Sequence, residues 1–273
     1  MKRYLDDIWS VIIITLVGAA LFFLIVPIIF AVMMSFDGRT YLGTFPPPSY
    51  SFQWYVNFFS DAYYLQGLKV SVMLAVVAAI VSTIFGVSAA IVLDRYEFRG
   101  KSALEAFFLS PLVVPGVVVG FALLLFFALF GIFEGFPRLL GGHIIITFPY
   151  TVRTTLAGLV GIRKSLTEAA LSLGANERQA FWDVTFPLAR TGVVAGIVFA
   201  FAFSMDDVAV SMFLTSPDTY TLPVAMVSMM RTQFDLTIAA GAVVMMLITV
   251  GIIVILDWIY GLDRLIKQGV TKS

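Results

Sequence analysis

Three ionisable side chains stand where such groups are rare. Arg153 interrupts an otherwise uncharged stretch at 142–162, and Asp206 and Asp207 interrupt another at 191–214. Opposite charges placed this way can pair across neighbouring helices and fix their packing, or they can line a path for a polar solute. The acidic pair suits a cationic or amine-bearing solute. Arg153 suits a carboxylate or phosphonate, and the set together suits a zwitterion such as an amino acid, an opine or an aminophosphonate. Ser204 and Tyr150 lie within one helical turn of these charges and add hydroxyls to the candidate path. His143 is the one histidine and cysteine is absent, which excludes a His-rich metal centre, a thiolate site and a disulfide framework. No cofactor or metal is expected in this chain. Arg99-Gly100-Lys101-Ser102 contains the GKS of a phosphate-binding loop, but Arg95 stands where that loop needs its first glycine.

The elements that must hold these residues are membrane helices. Of 273 residues, 60% are hydrophobic and 12% charged, about half the charge of a soluble domain. The formal net charge is zero, so nothing points to nucleic acid. Residues 8–36, 70–93, 106–133 and 236–256 carry no charge, and about 20 residues of helix cross the hydrocarbon. With the two interrupted stretches this predicts an all-α integral membrane protein with six spans, near 9–34, 70–93, 104–133, 142–162, 191–214 and 236–257, as a single domain. The first run is too long for a signal peptide's apolar region, and no A-x-A site follows it. Arg153 falls near the bilayer middle, where a charge costs about 2.5–3.5 kcal/mol or more. Asp206 and Asp207 fall in the outer half. Pro111, Pro115, Gly116 and Gly120 mark a kink or a close helix contact in span three.

Orientation follows from Lys and Arg. With the N-terminus inside, Lys2, Arg3, Arg95, Arg99, Lys101, Arg163, Lys164, Arg178, Arg190, Arg264, Lys267 and Lys272 are cytoplasmic, against Arg39, Lys69, Arg138 and Arg231 outside. Both termini are therefore expected inside, and 163–190 is the longest internal cytoplasmic loop. That loop reads as two short capped helices. Ser165 and Glu168 form a capping box, Gly174 ends the first helix, Asn176 caps the second, and Pro187 stops it. Phe181 and Trp182 are large apolar side chains on a cytoplasmic segment and need a surface to cover them. From these features alone the loop either packs on its own helices or docks into another protein.

Glu168-Ala169-Ala170, then Gly174 after three residues, then nine residues and Val184-Thr185-Phe186-Pro187, resembles the EAA loop of binding-protein-dependent ABC transporter permeases, EAA-x3-G-x9-I-x-L-P. Val184 and Phe186 replace the usual Ile and Leu. RYEFRGK at 95–101 and SMDDVAVS at 204–211 are similar to the spermidine/putrescine, PotC-like branch. The resemblance spans most of the chain from about 70 to 256.

The resemblance implies a MetI-like permease in the bacterial inner membrane. It implies a second permease subunit, of a different chain by the pattern of that branch, two copies of an ATP-binding subunit that bind ATP and Mg, and an external solute-binding protein. Glu168, Ala169, Ala170, Gly174, Ala175, Phe181, Val184 and Pro187 would then dock the ATPase. The chain itself would be non-catalytic, and Arg153, Asp206, Asp207, Ser204 and Tyr150 would face the path. The solute expected is polyamine-type. A zwitterionic or anionic solute is the alternative within the class. A secondary transporter or channel, which leaves residues 168–187 unexplained, and an exporter or structural membrane subunit are the alternatives outside it, and copurification of an ATPase pair and a second permease discriminates between them.

Overall fold

The computed structural model describes residues 2–41 and 43–260. Arg264, Lys267 and Lys272, used for orientation, lie outside the described residues. A long α1 (Lys2–Ser35) leads through an outer segment to α2 (Gln53–Ser60) and α3 (Ala62–Arg95). The third apolar run is not one rod. α4 (Lys101–Leu109) and a 3₁₀ turn at Ser110–Leu112 are followed by α5 (Gly116–Leu129), which departs at 103°. Pro115 causes the break: it disfavours helical geometry at Val114 and cannot donate to the preceding turn. α6 (Gly135–Val160), α7 (Lys164–Ser172), α8 (Glu177–Ala180), α9 (Phe186–Asp206), α10 (Ser211–Leu214), α11 (Leu222–Thr232) and α12 (Thr237–Tyr260) follow. Among the described residues four helices are long and apolar enough to cross a membrane, or up to six when each sharply bent pair is taken as one span.

The fifth apolar stretch differs from the single helix expected at 191–214. α9 ends at Asp206, Asp207 is extended, and α10 is a separate turn. The reason is local. The Asp207 carboxylate accepts from the backbone N–H groups of Val210 at 3.2 Å and Ser211 at 2.8 Å, so it caps the next turn instead of continuing the last.

α3, α6 and α9 form the centre of the molecule. Apolar burial does not drive helices together in lipid, so close backbone approach and polar contacts must do so. The α6–α9 crossing uses glycines. A Cβ on Gly192 would strike the Thr154 carbonyl, and one on Gly158 would lie 3.0 Å from the Gly192 Cα. A Cβ on Gly196 would come within 2.7 Å of Thr154 Oγ1. α3 meets α6 in the same way, with Gly86 facing Thr151. Hydroxyls tie α3 to α6: Ser82 and Thr147 share a bond of 2.6 Å, and Thr151 donates to the Ser82 carbonyl at 2.8 Å.

On the outer side, Asp37 is buried and held by Arg39, whose Nη2 lies 2.6 Å from Oδ2. Trp54 Nε1 donates to the Asp37 carbonyl at 2.7 Å. Hydrogen bonding to the guanidinium holds the Asp37 carboxyl below its ordinary value.

Replacing Gly192 by Val is expected to destabilise the detergent-solubilised protein by about 1–3 kcal/mol or more through overpacking. Gly251→Ala, where nothing lies within 4 Å, is expected to leave thermal unfolding unchanged. The Asp37–Arg39 contribution is complete above the unfolded carboxyl pKa of about 3.9 and is lost as pH falls through the lower folded value. Limited proteolysis of the outer segment should therefore increase only in acid, and should become independent of pH in Asp37→Asn.

Candidate functional site

The segment 163–190, expected from its charges to be cytoplasmic, is a hairpin. α7 closes with both bonds of a Schellman motif: Ala175 N–H donates to the Ala170 carbonyl at 3.1 Å, and Gly174 N–H to the Leu171 carbonyl at 3.0 Å. Gly174 sits at φ +96°, which favours glycine. Two residues later a capping box opens α8. Gln179 N–H donates to Asn176 Oδ1 at 2.9 Å, and Asn176 N–H donates to Gln179 Oε1 at 2.9 Å. The turn is therefore satisfied on both sides.

Two details of the sequence reading are corrected. Ser165 and Glu168 make no capping box. α7 begins at Lys164 with Arg163 at the cap and no side-chain bond, because the chain leaves α6 through the three residues 161–163 and re-enters the helix before Ser165. Pro187 does not stop the second helix. Phe181–Thr185 form a π-helical turn in which Phe186 N–H donates to the Phe181 carbonyl, and the helix runs on from Glu177 to Asp206. A π turn releases the carbonyl that a proline would otherwise strike, so Pro187 sits in the first turn of α9.

One face of the hairpin is anchored to this chain. Arg95, at the end of α3, donates to Thr185 Oγ1 at 3.3 Å and lies 5.6 Å from the Phe181 ring centroid. Thr167 and Thr185 are 3.4 Å apart. The other face is bare. Leu173 is 89% exposed and Trp182 52%, while Ala169, Gly174 and Pro187 are also exposed; Glu168 is exposed toward the end of α3. Ala170, Ala175, Phe181 and Val184 are half-buried. A pocket of about 250 Å³ between Asp94, Tyr96, Glu168 and Glu177 separates the hairpin from the end of α3.

In the membrane the predicted charges do not meet. α6 and α9 run antiparallel, with Gly158 against Gly192 and His143 against Ser204. That register places Arg153 level with residue 195, about 16 Å along the axis from Asp206, and the pairing with Asp206 or Asp207 does not form. Arg153 is exposed and has no ion pair among the described residues. It lies about 10 Å along the axis from the Val160 end of α6.

The two aspartates part company as well. Asp207 is buried; beyond its backbone bonds it accepts from Ser211 Oγ at 2.9 Å. His143 is fully buried between Ser204 at 2.7 Å and Ser211 at 2.9 Å. Since the Ser211 hydroxyl spends its hydrogen on Asp207, it must accept from His143 Nε2. Ser204 then donates to Nδ1, so the neutral tautomer satisfies every bond. Asp207 also reaches a cavity of about 260 Å³ lined by Pro111, Gly116, Ile146, Tyr150 and Phe203 at the break of the third span. The Tyr150 and Phe203 rings lie 4.8 Å apart, tilted by 40°. Asp206 is exposed on another face, beside an apolar cavity of about 510 Å³ walled by Met226, Met230 and Met245.

The sequence reading missed Thr147, Thr151, Ser82 and Ser211 as members of this polar network, and Arg95 as the hairpin's anchor. Buried Ser and Thr carry no periodic signal that separates them from lipid-facing ones. The spacing of His143, Thr147 and Thr151 at four residues was the available sign.

A family model for the binding-protein-dependent transport system inner membrane component matches residues 82–264. The spermidine/putrescine transport system permease protein PotC of Haemophilus influenzae is 33% identical over 85% of this chain and 90% of its own length. The putrescine transport system permease protein PotI of Escherichia coli is 30% identical over 90% and 89%. A crystal structure of a bacterial alginate ABC transporter, in complex with an alginate-bound periplasmic protein, superposes with a TM-score of 0.73 over 94% of this chain and 96% of that one, at 15% identity.

Removing the Asp207 carboxylate leaves buried donors unsatisfied, so Asp207→Ala should lower stability by about 1–3 kcal/mol. The neighbouring Asp206→Ala should stay within about 0.5 kcal/mol. Thermal unfolding of the two purified variants checks the contrast.

Proposed function

Because the chain belongs to the binding-protein-dependent transport system inner membrane component family, we propose that it carries a polyamine-type, amine-bearing solute and is driven through the hairpin at 163–190. As a permease component of an ABC importer in the bacterial inner membrane, it is a non-catalytic membrane subunit with the MetI-like fold. The solute reading draws on relatives named for spermidine and putrescine, and on a buried carboxylate, Asp207, opening onto an aromatic-walled cavity. An ammonium group beside a carboxylate and an aromatic ring gains both Coulombic and cation–π attraction.

The observation that carries the coupling reading is the bare face of the hairpin. A separate ATP-binding subunit would cover Leu173 and Trp182 and grip Glu168, Ala169 and Gly174. Movement of that subunit would pass into the membrane, because Glu177–Asp206 is one helical segment. In this reading two ATPase copies, a second permease subunit of a different sequence and an external solute-binding protein complete the complex. ATP and Mg belong to the ATPase, and Arg153, Ser204, Asp206, Asp207 and Tyr150 belong to the solute path. Arg153 favours a second solute, a zwitterion or an anion, since its guanidinium stands exposed without a carboxylate partner among the described residues.

Leu173→Glu changes a side chain that has no buried role in this chain. It is expected to lower uptake at least tenfold and to weaken copurification of the ATPase, with normal membrane abundance; undiminished uptake would reject the docking surface. Uptake of radiolabelled putrescine should be inhibited by spermidine and not by amino acids, and Asp207→Asn should reduce it more than Arg153→Gln does. The reverse order would favour the zwitterion.

A further inference from the structure

On the outer side the ends of four helices meet around a cavity of about 500 Å³, lined in part by Asn57, Asp61, Tyr64, Met229, Gln233 and Asp235. α2 and α11 end there, and α3 and α12 begin there. Helix C-termini carry about half a negative charge and N-termini about half a positive one, so the four dipoles offset. What remains is the charge of Asp61 and Asp235. Both are half-buried, and neither has an ion pair among the described residues. Arg231, two residues from Gln233, does not line the cavity.

Each carboxylate spends one oxygen on its own helix. Asp61 Oδ1 accepts from Tyr63 N–H at 2.8 Å, and Asp235 Oδ1 from Thr237 N–H at 2.9 Å. The second oxygen of each accepts no hydrogen bond among the described residues. Tyr64 supplies an independent observation. It is 2% exposed, it lines this cavity, and its hydroxyl has no hydrogen-bond partner among the described residues. The ring is enclosed while the hydroxyl stays open to the cavity, so whatever occupies the cavity can bond to it. An alkylammonium has three N–H donors and no acceptor. Two carboxylate oxygens and one phenol oxygen match it in number, and nothing cationic lines the cavity to repel it.

The geometry points to this cavity as a receiving site for a primary alkylammonium group of the solute on the outer face, reached before the path at Asp207. The assignment rests on the amine-bearing solute proposed above. A lysine of the docked solute-binding protein has the same chemistry. The small solute is favoured because Tyr64, 2% exposed, presents its hydroxyl inside the cavity, where a compact amine can reach it.

Asp61→Asn and Asp235→Asn remove charge while keeping both helix caps, since Asn caps as well as Asp. Tyr64→Phe removes only the hydroxyl. The purified complex of both permeases and the ATPase, without the solute-binding protein, is titrated with radiolabelled putrescine. Saturable binding is expected, weakened at least tenfold in the double Asn variant and severalfold in Tyr64→Phe, with unchanged thermal unfolding. Should the double variant fail to fold, Tyr64→Phe alone decides. Binding unaffected by the substitutions overturns the site. So does a loss confined to docking of the solute-binding protein, which would assign the cavity to a lysine of that protein. A wild-type complex that imports putrescine without binding it in this assay sinks the receiving site and leaves the import reading standing. A wild-type complex that imports another solute and no amine sinks both.

Discussion

In hydrocarbon, two helices gain little by hiding apolar surface from one another, so contact between α6 and α9 has to come from backbone proximity and polar bonds. Gly158, Gly192 and Gly196 allow the approach, and the His143–Ser204 bond fixes the register near the outer end. Much else follows from that antiparallel register. It sets Arg153 and the aspartates at different depths, leaves the guanidinium unpaired, and puts Tyr150 beside Phe203. α3 joins the same unit through Gly86 and the Ser82–Thr147–Thr151 bonds.

This glycine-and-hydroxyl centre is continuous with the cytoplasmic hairpin. The Schellman turn and the capping box leave the hairpin few soft torsions, and Arg95 clamps its inner face to α3. Its second limb is the start of the helix that becomes α9. About 45 Å of helix therefore links the exposed hairpin to Asp206 at the far end. The π turn at Phe181–Thr185 is where that lever accommodates a proline without breaking. A π turn is also a place where a helix can change pitch at modest cost, so stiffness and a single point of adjustment lie in one element.

Adjacent acidic residues divide their labour at the outer end. Asp207 terminates α9, organises α10, and is enclosed with His143 and Ser211. Asp206, one residue earlier, points away from that network and lies exposed. Asp206 is the last residue of α9 and Asp207 is already extended, so the two neighbours need share neither burial nor partner. At the span-three break Pro111 and Gly116 frame a cavity at Asp207, and Gly120, one turn on, lets α5 pack against Val210 and Phe213.

The all-α membrane class and the kink near Pro111–Pro115 were legible in the chain, because charge-free runs and proline act locally. So were the left-handed Gly174 and the cap at Asn176. The resemblance at 168–187 likewise needed no coordinates. The partners of Asp207 and His143, and the separation of Arg153 from both aspartates, were not legible, because they depend on how two helices distant in sequence slide past one another. That register is decided by where glycines admit a backbone and where a hydroxyl finds its acceptor, and neither is written in the apolar pattern of one helix. Ser165 and Pro187 misled for a related reason: a cap or a stop is a local preference, and here the turn leaving α6 and the π turn entering α9 outweighed it.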